Sequence, residues 1–240
     1  DASCDWSSDV CSSDLDDFFY GRYNELRILQ NNYNSFMINE PSKSVFLVGE
    51  AGIGKTRLKD KFVEIVDEDT AYILETYCFQ FEKDCILKPW NVILSKLSQI
   101  MKDKNIKIPT LWENIIENCF SEFNELGTNE QSIKISDNKY TLKYEVIGNI
   151  LTNILAKIAH KKKIILIFED IQWIDYGSLK FLSSMILHGH ANILCFMTYR
   201  NEYNIEIDKF LVSANKHNKI LRMDLLRFNN DEVDNFIKIG

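Results

Sequence analysis

A short glycine-rich segment limits the folds open to this chain more than any other feature. Eight residues match the pattern G-x-x-x-x-G-K-[S/T]: Gly49, Glu50, Ala51, Gly52, Ile53, Gly54, Lys55 and Thr56. An apolar run precedes them, and an amphipathic helical pattern follows. At such a junction, backbone N–H groups can surround phosphate, and the helix N-terminus adds positive charge. The pattern therefore predicts a phosphate-binding loop. The alternative is an ordinary glycine-rich turn.

The last residues of this loop have distinct expected roles. Lys55 is expected to reach the β- and γ-phosphate oxygens of ATP, and Thr56 is expected to hold Mg²⁺. Arg57 follows at the start of the helix, and we include it among the predicted nucleotide-binding residues. Because the chain has only 9 Gly in 240 residues, an accidental match to all the fixed positions is rare. The sequence thus predicts that ATP and Mg²⁺ are the cofactors.

Two carboxylates follow a second apolar run. Residues 163–168 predict a buried strand, and Glu169 and Asp170 come directly after it. Ligands of open α/β folds bind at the carboxyl edge of the sheet, where such strands end. One acid there can orient Mg²⁺, and its neighbour can position and deprotonate an attacking water. The alternative is a strand that ends in solvated charge.

The order of the predicted elements favours an α/β fold with a mainly parallel sheet. Apolar runs predict five strands, at residues 44–48, 71–78, 163–168, 193–198 and 219–223. Enough chain separates successive strands for the crossover helix that parallel pairing requires. Between the second and third strands lie three helical patterns, 90–101, 111–126 and 142–160, and a polar stretch, 127–139. We interpret the polar stretch as a mobile loop.

Composition sets broad limits on the class of protein. The chain is 45% hydrophobic and 26% charged, as expected for a globular domain with a sizeable core. No apolar run approaches the roughly 18 residues of a membrane span, so we expect no membrane segment. Six Cys lack paired CxxC spacing. Their pattern argues against a zinc site or a disulfide framework and favours the cytoplasm.

The first seventeen residues do not fit the pattern of the rest. Residues 5–15 have no hydrophobic period and no signal-peptide core, and they resemble the translation of a sequencing-library adapter. We expect residues 1–17 to be a non-native or disordered tail without function. The folded core is then expected at residues 18–228, with a helical insertion at about residues 86–160.

Four segments together resemble the AAA-type ATPase domain of signal-transduction ATPases, a family often described as origin-recognition-complex-like. They are Gly21-Arg22 with Glu25-Leu26, the loop 49–56, Phe168–Asp175 with Ser178-Leu179, and Thr198-Tyr199-Arg200. The resemblance extends over nearly all of residues 18–240. It implies a P-loop nucleoside triphosphatase fold with strand order 5-1-4-3-2 and helices on both faces of the sheet. Similar modules occur in multidomain transcriptional activators and ATPase-linked cyclases.

The resemblance also implies roles for individual residues. Gly21 and Arg22 would lie near the adenine and ribose of the nucleotide. Glu169 would serve the metal, and Asp170 would be the catalytic acid or base. Arg200 would sense the γ-phosphate. One departure from the family pattern is the first acid, which is Glu169 rather than the commoner Asp, and its longer arm would alter the metal geometry.

For function, the resemblance implies an ATPase switch with slow turnover, in which Lys55 acts in catalysis with Asp170 and Arg200. Its ATP and ADP states would bias attached effector domains. Residues 229–240 would begin a C-terminal helical lid, with the effector domains lying beyond this segment. A DNA-associated AAA ATPase and a nucleotide-binding scaffold without significant turnover remain as alternatives. Self-association that depends on the nucleotide also stays open.

Other motifs have simpler interpretations. His188-Gly189-His190 could supply two metal ligands, but a helix C-terminus explains it better. The basic run 161–163 lacks interleaved aromatic residues, so we do not expect direct nucleic-acid binding by this segment. Cys78 and Cys85 lie in apolar surroundings and are expected to be core thiols rather than a redox pair.

Overall fold

The computed structural model describes residues 19–85, 87–116, 138–202 and 204–230, together with Val233 and Ile237. For residues 138–145 it describes the backbone but not the side chains. The predicted tail at residues 1–17 lies outside these ranges, as do the end of the helical pattern 111–126 and most of the polar stretch 127–139. The interpretation of that stretch as a loop is wrong at its end, because a helix begins at Asn138.

Five strands form one parallel sheet. In chain order they are β1 Ser44–Val48, β2 Ala71–Tyr77, β3 Lys163–Glu169, β4 Ile193–Tyr199 and β5 Ile220–Asp224. Their order across the sheet is β2-β3-β4-β1-β5, and each neighbouring pair is parallel. The predicted fold class and strand order are therefore confirmed. Each strand boundary lies within one residue of its prediction.

The central strand β3 is buried on both faces, because its apolar residues alternate between two cores. Ile164, Leu166 and Phe168 belong to one hydrophobic cluster, whereas Ile165 and Ile167 belong to the other. Successive side chains of a strand point to opposite faces. A continuous apolar run is therefore what a strand needs when both faces of a parallel sheet are covered.

Helices cover both faces of the sheet. They are α1 Tyr23–Met37, α2 Lys55–Ile65, α3 Lys88–Asp103, α4 Asn138–Ala159, α5 Tyr176–His188 and α6 Ile205–Lys216, with 3₁₀ turns at Gln80–Glu82 and Ile171–Trp173. Helices α1 and α2 pack into the cluster that contains Ile165, and the other four pack into the cluster that contains Phe168. Among the described residues, no helix is both long enough and apolar enough to cross a membrane.

Trp90 docks the helices that lie between β2 and β3. It is fully buried near the start of α3, and its indole N–H donates to the carbonyl oxygen of Ser178 at 3.1 Å. The ring also lies 5.2 Å from the ring of Phe168. The inserted helices are thus packed against α5 and against the end of β3, just before the two predicted acids.

Parallel pairing brings the ends of the central strands to one edge of the sheet. Val48 pairs with Tyr199, and Tyr77 pairs with Glu169. The glycine-rich loop leaves this edge after β1, the acids leave it after β3, and Arg200 leaves it after β4. The fold therefore gathers three of the predicted segments at one carboxyl edge, where ligands of open α/β folds bind.

Candidate nucleotide-binding site

The loop after β1 turns at two glycines with positive φ. Gly52 has φ 75° and Gly54 has φ 98°, in a region that residues with a Cβ rarely adopt. Because α2 begins at Lys55, its first backbone N–H groups face the loop. The Gly49 N–H donates to the carbonyl oxygen of Tyr199 at 3.1 Å and ties the loop to the end of β4. The segment has the strand-loop-helix form that binds phosphate groups.

Lys55 lies inside this loop. Its ammonium is buried and donates to the carbonyl oxygens of Gly49 and Glu50, both at 2.8 Å. Burial lowers the pKa of Lys55 below its ordinary value, although the negative charges of Asp170 and Glu169 oppose the change. An ammonium has three N–H donors. Two of them hold the shape of the loop, and the third can reach a phosphate oxygen.

The other predicted loop residues differ in their surroundings. Glu50, Ala51 and Arg57 are exposed. Ile53 is half-buried and packs against the cluster formed by α1 and α2. The loop thus presents backbone and polar groups outward and is anchored to the core by one aliphatic side chain.

Thr56 and Glu169 face each other across the start of α2 and the end of β3. The Thr56 hydroxyl donates to Oε2 of Glu169 at 3.2 Å. Glu169 is only 4% exposed, and its other oxygen, Oε1, is buried and accepts no hydrogen bond from the part of the chain that the structure describes. Hydroxyl and carboxylate oxygens are the ligands that Mg²⁺ prefers. These two residues therefore fit a magnesium ion that keeps most of its bound water.

A buried lysine, Lys59, lies beside this carboxylate. Its Nζ is 2.6 Å from Oδ1 of Asp60, 2.6 Å from Oε1 of Glu75 and 3.0 Å from Oε1 of Glu169. The contact with Glu169 is an ion pair rather than a hydrogen bond. Burial disfavours the ammonium, yet these three contacts raise the pKa of Lys59 above its ordinary value. Burial, together with Glu75, raises the pKa of Glu169, and Lys59 opposes that rise.

The chain turns sharply at Asp170, directly after β3. Asp170 has φ 54° and ψ 49°, a left-handed conformation, and its N–H donates to Oγ1 of Thr198 at 2.9 Å. Adjacent strand residues point to opposite faces, and this turn changes the relation between the two acids. Glu169 faces Thr56 on α2, whereas Asp170 faces β4. The two predicted acids therefore have different partners.

Arg200 meets Asp170 at the ends of β3 and β4. Its Nε lies 3.3 Å from Oδ1 of Asp170, and its second terminal nitrogen lies 3.3 Å from Oδ2. Both side chains are about one-third exposed, at 39% and 33%. Arg200 is therefore accessible from solvent and is held by a two-point ion pair with the acid that sequence reasoning places in catalysis.

Gln172 connects Asp170 and Arg200, although the sequence does not predict it as a site residue. Its Nε2 donates to Oδ1 of Asp170 at 3.0 Å, and its Oε1 accepts from the backbone N–H of Arg200 at 3.0 Å. The side chain is buried. Its position in the segment Phe168–Asp175 was the available signal, but a sequence pattern does not show which polar side chain turns inward.

The predicted base-binding residues lie against the chain that follows β5. Gly21 has φ 69° and Arg22 has φ 57°. The Arg22 guanidinium donates to Oε1 of Glu25 at 3.1 Å and to the carbonyl oxygen of Leu226. It also lies 4.5 Å from the ring centre of Phe228. A Cβ at Gly21 would come within 2.8 Å of that ring, so the close approach requires glycine.

The chain after β5 also reaches the loop. Arg227 pairs with Glu50 at 2.6 Å, and the Leu225 N–H donates to the carbonyl oxygen of Val48 at 2.7 Å. Gly21 and Arg22 are thus connected to the glycine-rich loop through residues 225–228. This arrangement brings both predicted nucleotide-binding segments to one side of the domain.

A cavity lies at the opposite edge of the sheet. It encloses about 410 Å³ and is lined by the starts of β1 and β4, with His188, His190 and Lys219. Gly189 ends α5 with φ 66°, which confirms the predicted helix C-terminus. No group of three potential metal ligands occurs in the described part of the chain. The end of α5 at Gly189 accounts for the placement of His188 and His190.

The predicted core cysteines differ in burial. Cys78 is buried, and burial raises the pKa of its thiol well above the ordinary range. Cys85 is half-buried, and both are free thiols. A thiol with a raised pKa is a poor nucleophile near neutral pH. Cys78 is therefore a core side chain rather than a reactive group.

Comparisons with known proteins identify the family of this domain. The sequence model of the AAA ATPase domain matches residues 19–196. No curated protein matches the sequence. Similar solved structures include the ORC1 protein of Aeropyrum pernix in complex with DNA (12% identity, TM-score 0.48) and its ORC2 protein in ADPNP and ADP complexes (12% identity, TM-score 0.49). A third is a point variant of RuvB from Thermotoga maritima, with 15% identity and a TM-score of 0.39.

These alignments cover 93%, 92% and 92% of this chain, but 50%, 51% and 50% of the three solved chains. The chain thus spans about half the length of the proteins it matches. The family match covers well over half of the chain, and the glycine-rich loop lies within it. The chain belongs to the AAA ATPase domain family, a family of nucleotide-binding domains.

Proposed function

We propose that this domain binds Mg-ATP at the carboxyl edge of its sheet, hydrolyses it slowly and acts as a cytoplasmic regulatory switch in a larger signalling or transcription-regulating protein. The main support is the convergence of three contacts at that edge. Lys55 lies inside the loop, Thr56 meets Glu169, and Arg200 meets Asp170. These are the groups that phosphoryl transfer needs for phosphate binding, metal binding and water activation.

Each group has a chemical task in this proposal. The loop N–H groups and Lys55 bind the β- and γ-phosphates, and Thr56 and Glu169 hold Mg²⁺. The metal neutralises charge that develops on the phosphate oxygens. Asp170 accepts the proton of the attacking water and positions that water. Gly21 and Arg22 bind the base and ribose beside the segment 225–228.

The switch character rests on Arg200. Its guanidinium is held by Asp170 through two contacts near 3.3 Å, longer than strong charge-assisted hydrogen bonds. A γ-phosphate carries more charge than one carboxylate and can draw Arg200 toward itself, which would free Asp170 to act on water. ATP would then favour one arrangement of the ends of β3 and β4, and ADP the other. Effector domains attached to this domain would respond to that difference.

Single-turnover hydrolysis tests the proposed activity, because it detects slow chemistry that steady-state assays miss. The chain is mixed in excess with radiolabelled ATP at saturating Mg²⁺, and bound ATP is measured in parallel. Conversion of bound ATP to ADP, and its loss in Asp170→Asn, would support a slow ATPase. Binding without conversion would favour the nucleotide-binding scaffold. A large acceleration by DNA would favour a DNA-associated ATPase.

A further inference from the structure

The buried lysine on α2 lies where it can control the carboxylate of the candidate magnesium site. Lys59 is 3% exposed and comes three residues after Thr56. Residues three apart on a helix lie on the same face, so Thr56 and Lys59 both face the end of β3. The Thr56 hydroxyl lies 3.2 Å from Oε2 of Glu169, and the Lys59 ammonium lies 3.0 Å from Oε1. One carboxylate is therefore held at both oxygens by two side chains of one helix.

A second carboxylate completes this arrangement. Glu75 of β2 lies 2.6 Å from the same ammonium. The sheet register pairs Tyr77 with Glu169 and Glu75 with Ile167, so Glu75 and Glu169 are diagonal neighbours on one face of the sheet. A buried carboxylate and a half-buried one in such proximity repel each other. The Lys59 ammonium contacts both carboxylates and offsets this repulsion.

We propose that Lys59 is a positioning residue for magnesium: by holding Oε1 of Glu169, it fixes Oε2 toward the Thr56 hydroxyl, where the metal would bind. This inference deepens the proposed function and rests on it. Without Lys59, no cation would hold Oε1, and the Glu169 carboxylate would turn away from the Thr56 hydroxyl. That change leaves Thr56 without its carboxylate partner and weakens metal binding, while the loop that binds phosphate stays intact.

A simpler role for Lys59 is to neutralise Glu75 in the fold. A double variant separates the two roles. Lys59→Met with Glu75→Leu removes both members of that pair at similar volume and leaves no second carboxylate beside Glu169. If Lys59 served only Glu75, the double variant would regain the magnesium requirement of the wild type. If Lys59 positions Glu169, the double variant keeps the defect. Lys61→Met is the matched control, because Lys61 lies on the same helix and pairs with Glu64 near the surface.

The measurement is the affinity for fluorescently labelled ATP, in EDTA and over a magnesium titration, for the full chain. Outer partners of a metal ligand are typically worth about 10- to 100-fold in metal affinity. We expect Lys59→Met and the double variant to need at least about tenfold more Mg²⁺ for the half-maximal effect. Affinity in EDTA should remain that of the wild type, and circular dichroism should show a folded domain.

A wild-type magnesium requirement in either folded variant would overturn the positioning role. If only the double variant regained the wild-type magnesium requirement, Lys59 would serve only to neutralise Glu75. A similar shift in Lys61→Met would also overturn it, because the effect would then belong to any lysine of α2. Failure of the wild-type chain to bind labelled ATP at any Mg²⁺ concentration would refute the proposed function and the inference with it.

Discussion

Arg200 and Asp170 form a two-point ion pair between the ends of two adjacent strands, with both nitrogen-to-oxygen distances at 3.3 Å. Gln172 hydrogen-bonds to both residues, through the Asp170 carboxylate and the Arg200 backbone N–H. The residue proposed to read the γ-phosphate is therefore bound to the residue proposed to activate water. A change at Arg200 should alter the discrimination between ATP and ADP, and a change at Asp170 should alter hydrolysis.

Arg200→Ala is expected to reduce the preference for ATP over ADP. A charge-assisted hydrogen bond to a phosphate contributes about 1.5–3 kcal/mol, so the ratio of the two affinities should fall by about tenfold or more. Isothermal calorimetry with each nucleotide measures that ratio. Arg222→Ala is the matched control, since Arg222 also pairs with a carboxylate, Asp224, but lies on β5. An unchanged ratio in folded Arg200→Ala would make Arg200 an ordinary surface charge.

Asp170→Asn and Glu169→Gln are expected to fail in different ways. Asp170→Asn keeps the size of the side chain but removes the base, so single-turnover hydrolysis should fall by about 10²-fold or more while ATP affinity is retained. Glu169→Gln should mainly raise the magnesium requirement, because Glu169 faces Thr56. Hydrolysis at the wild-type rate in Asp170→Asn, with an inactive Glu169→Gln, would assign the catalytic carboxylate to Glu169 instead.

Gln172→Leu is expected to destabilise the domain. The substitution leaves the backbone N–H of Arg200 without its side-chain acceptor and removes a donor from Asp170, at a buried position. Loss of a buried hydrogen-bond partner costs about 1–3 kcal/mol. Urea unfolding monitored by circular dichroism measures the free energy of unfolding. Gln99→Leu provides a control, because exposed Gln99 donates a hydrogen bond to Asp103 at 2.9 Å on α3. Equal losses of unfolding free energy in Gln172→Leu and Gln99→Leu would contradict a special role for Gln172.

The strands were predictable because the central ones, β1, β3 and β4, are nearly continuous apolar runs. Residues 164–168 have the pattern of a strand covered on both faces, and the spacing between runs allowed crossover helices. The strand order came from the family resemblance rather than from those runs. The loop from Gly49 to Thr56 was also recognisable, because its spacing reflects the fixed geometry of phosphate binding.

The contacts among polar side chains could not be predicted in the same way. In the sequence, Lys59 is one of several polar residues of an amphipathic helix. Only the packing of α2 on β2 and β3 buries it between Glu75 and Glu169. Likewise, the left-handed turn at Asp170 separates two acids that are adjacent in sequence. Such contacts depend on the relative positions of elements far apart in the chain, which residue patterns do not encode locally.

Calorimetric titration of Mg-ATP into the wild-type chain and into Lys55→Ala tests the proposed nucleotide site most directly. The Lys55 ammonium lies inside the loop with two donors on loop carbonyls, and its loss leaves phosphate charge unneutralised at the centre of the site. We expect saturable binding by the wild type and at least tenfold weaker binding by Lys55→Ala, equivalent to about 1.4 kcal/mol or more. Equal affinities in the two folded proteins, or no binding by the wild type, would contradict an ATP site at this loop.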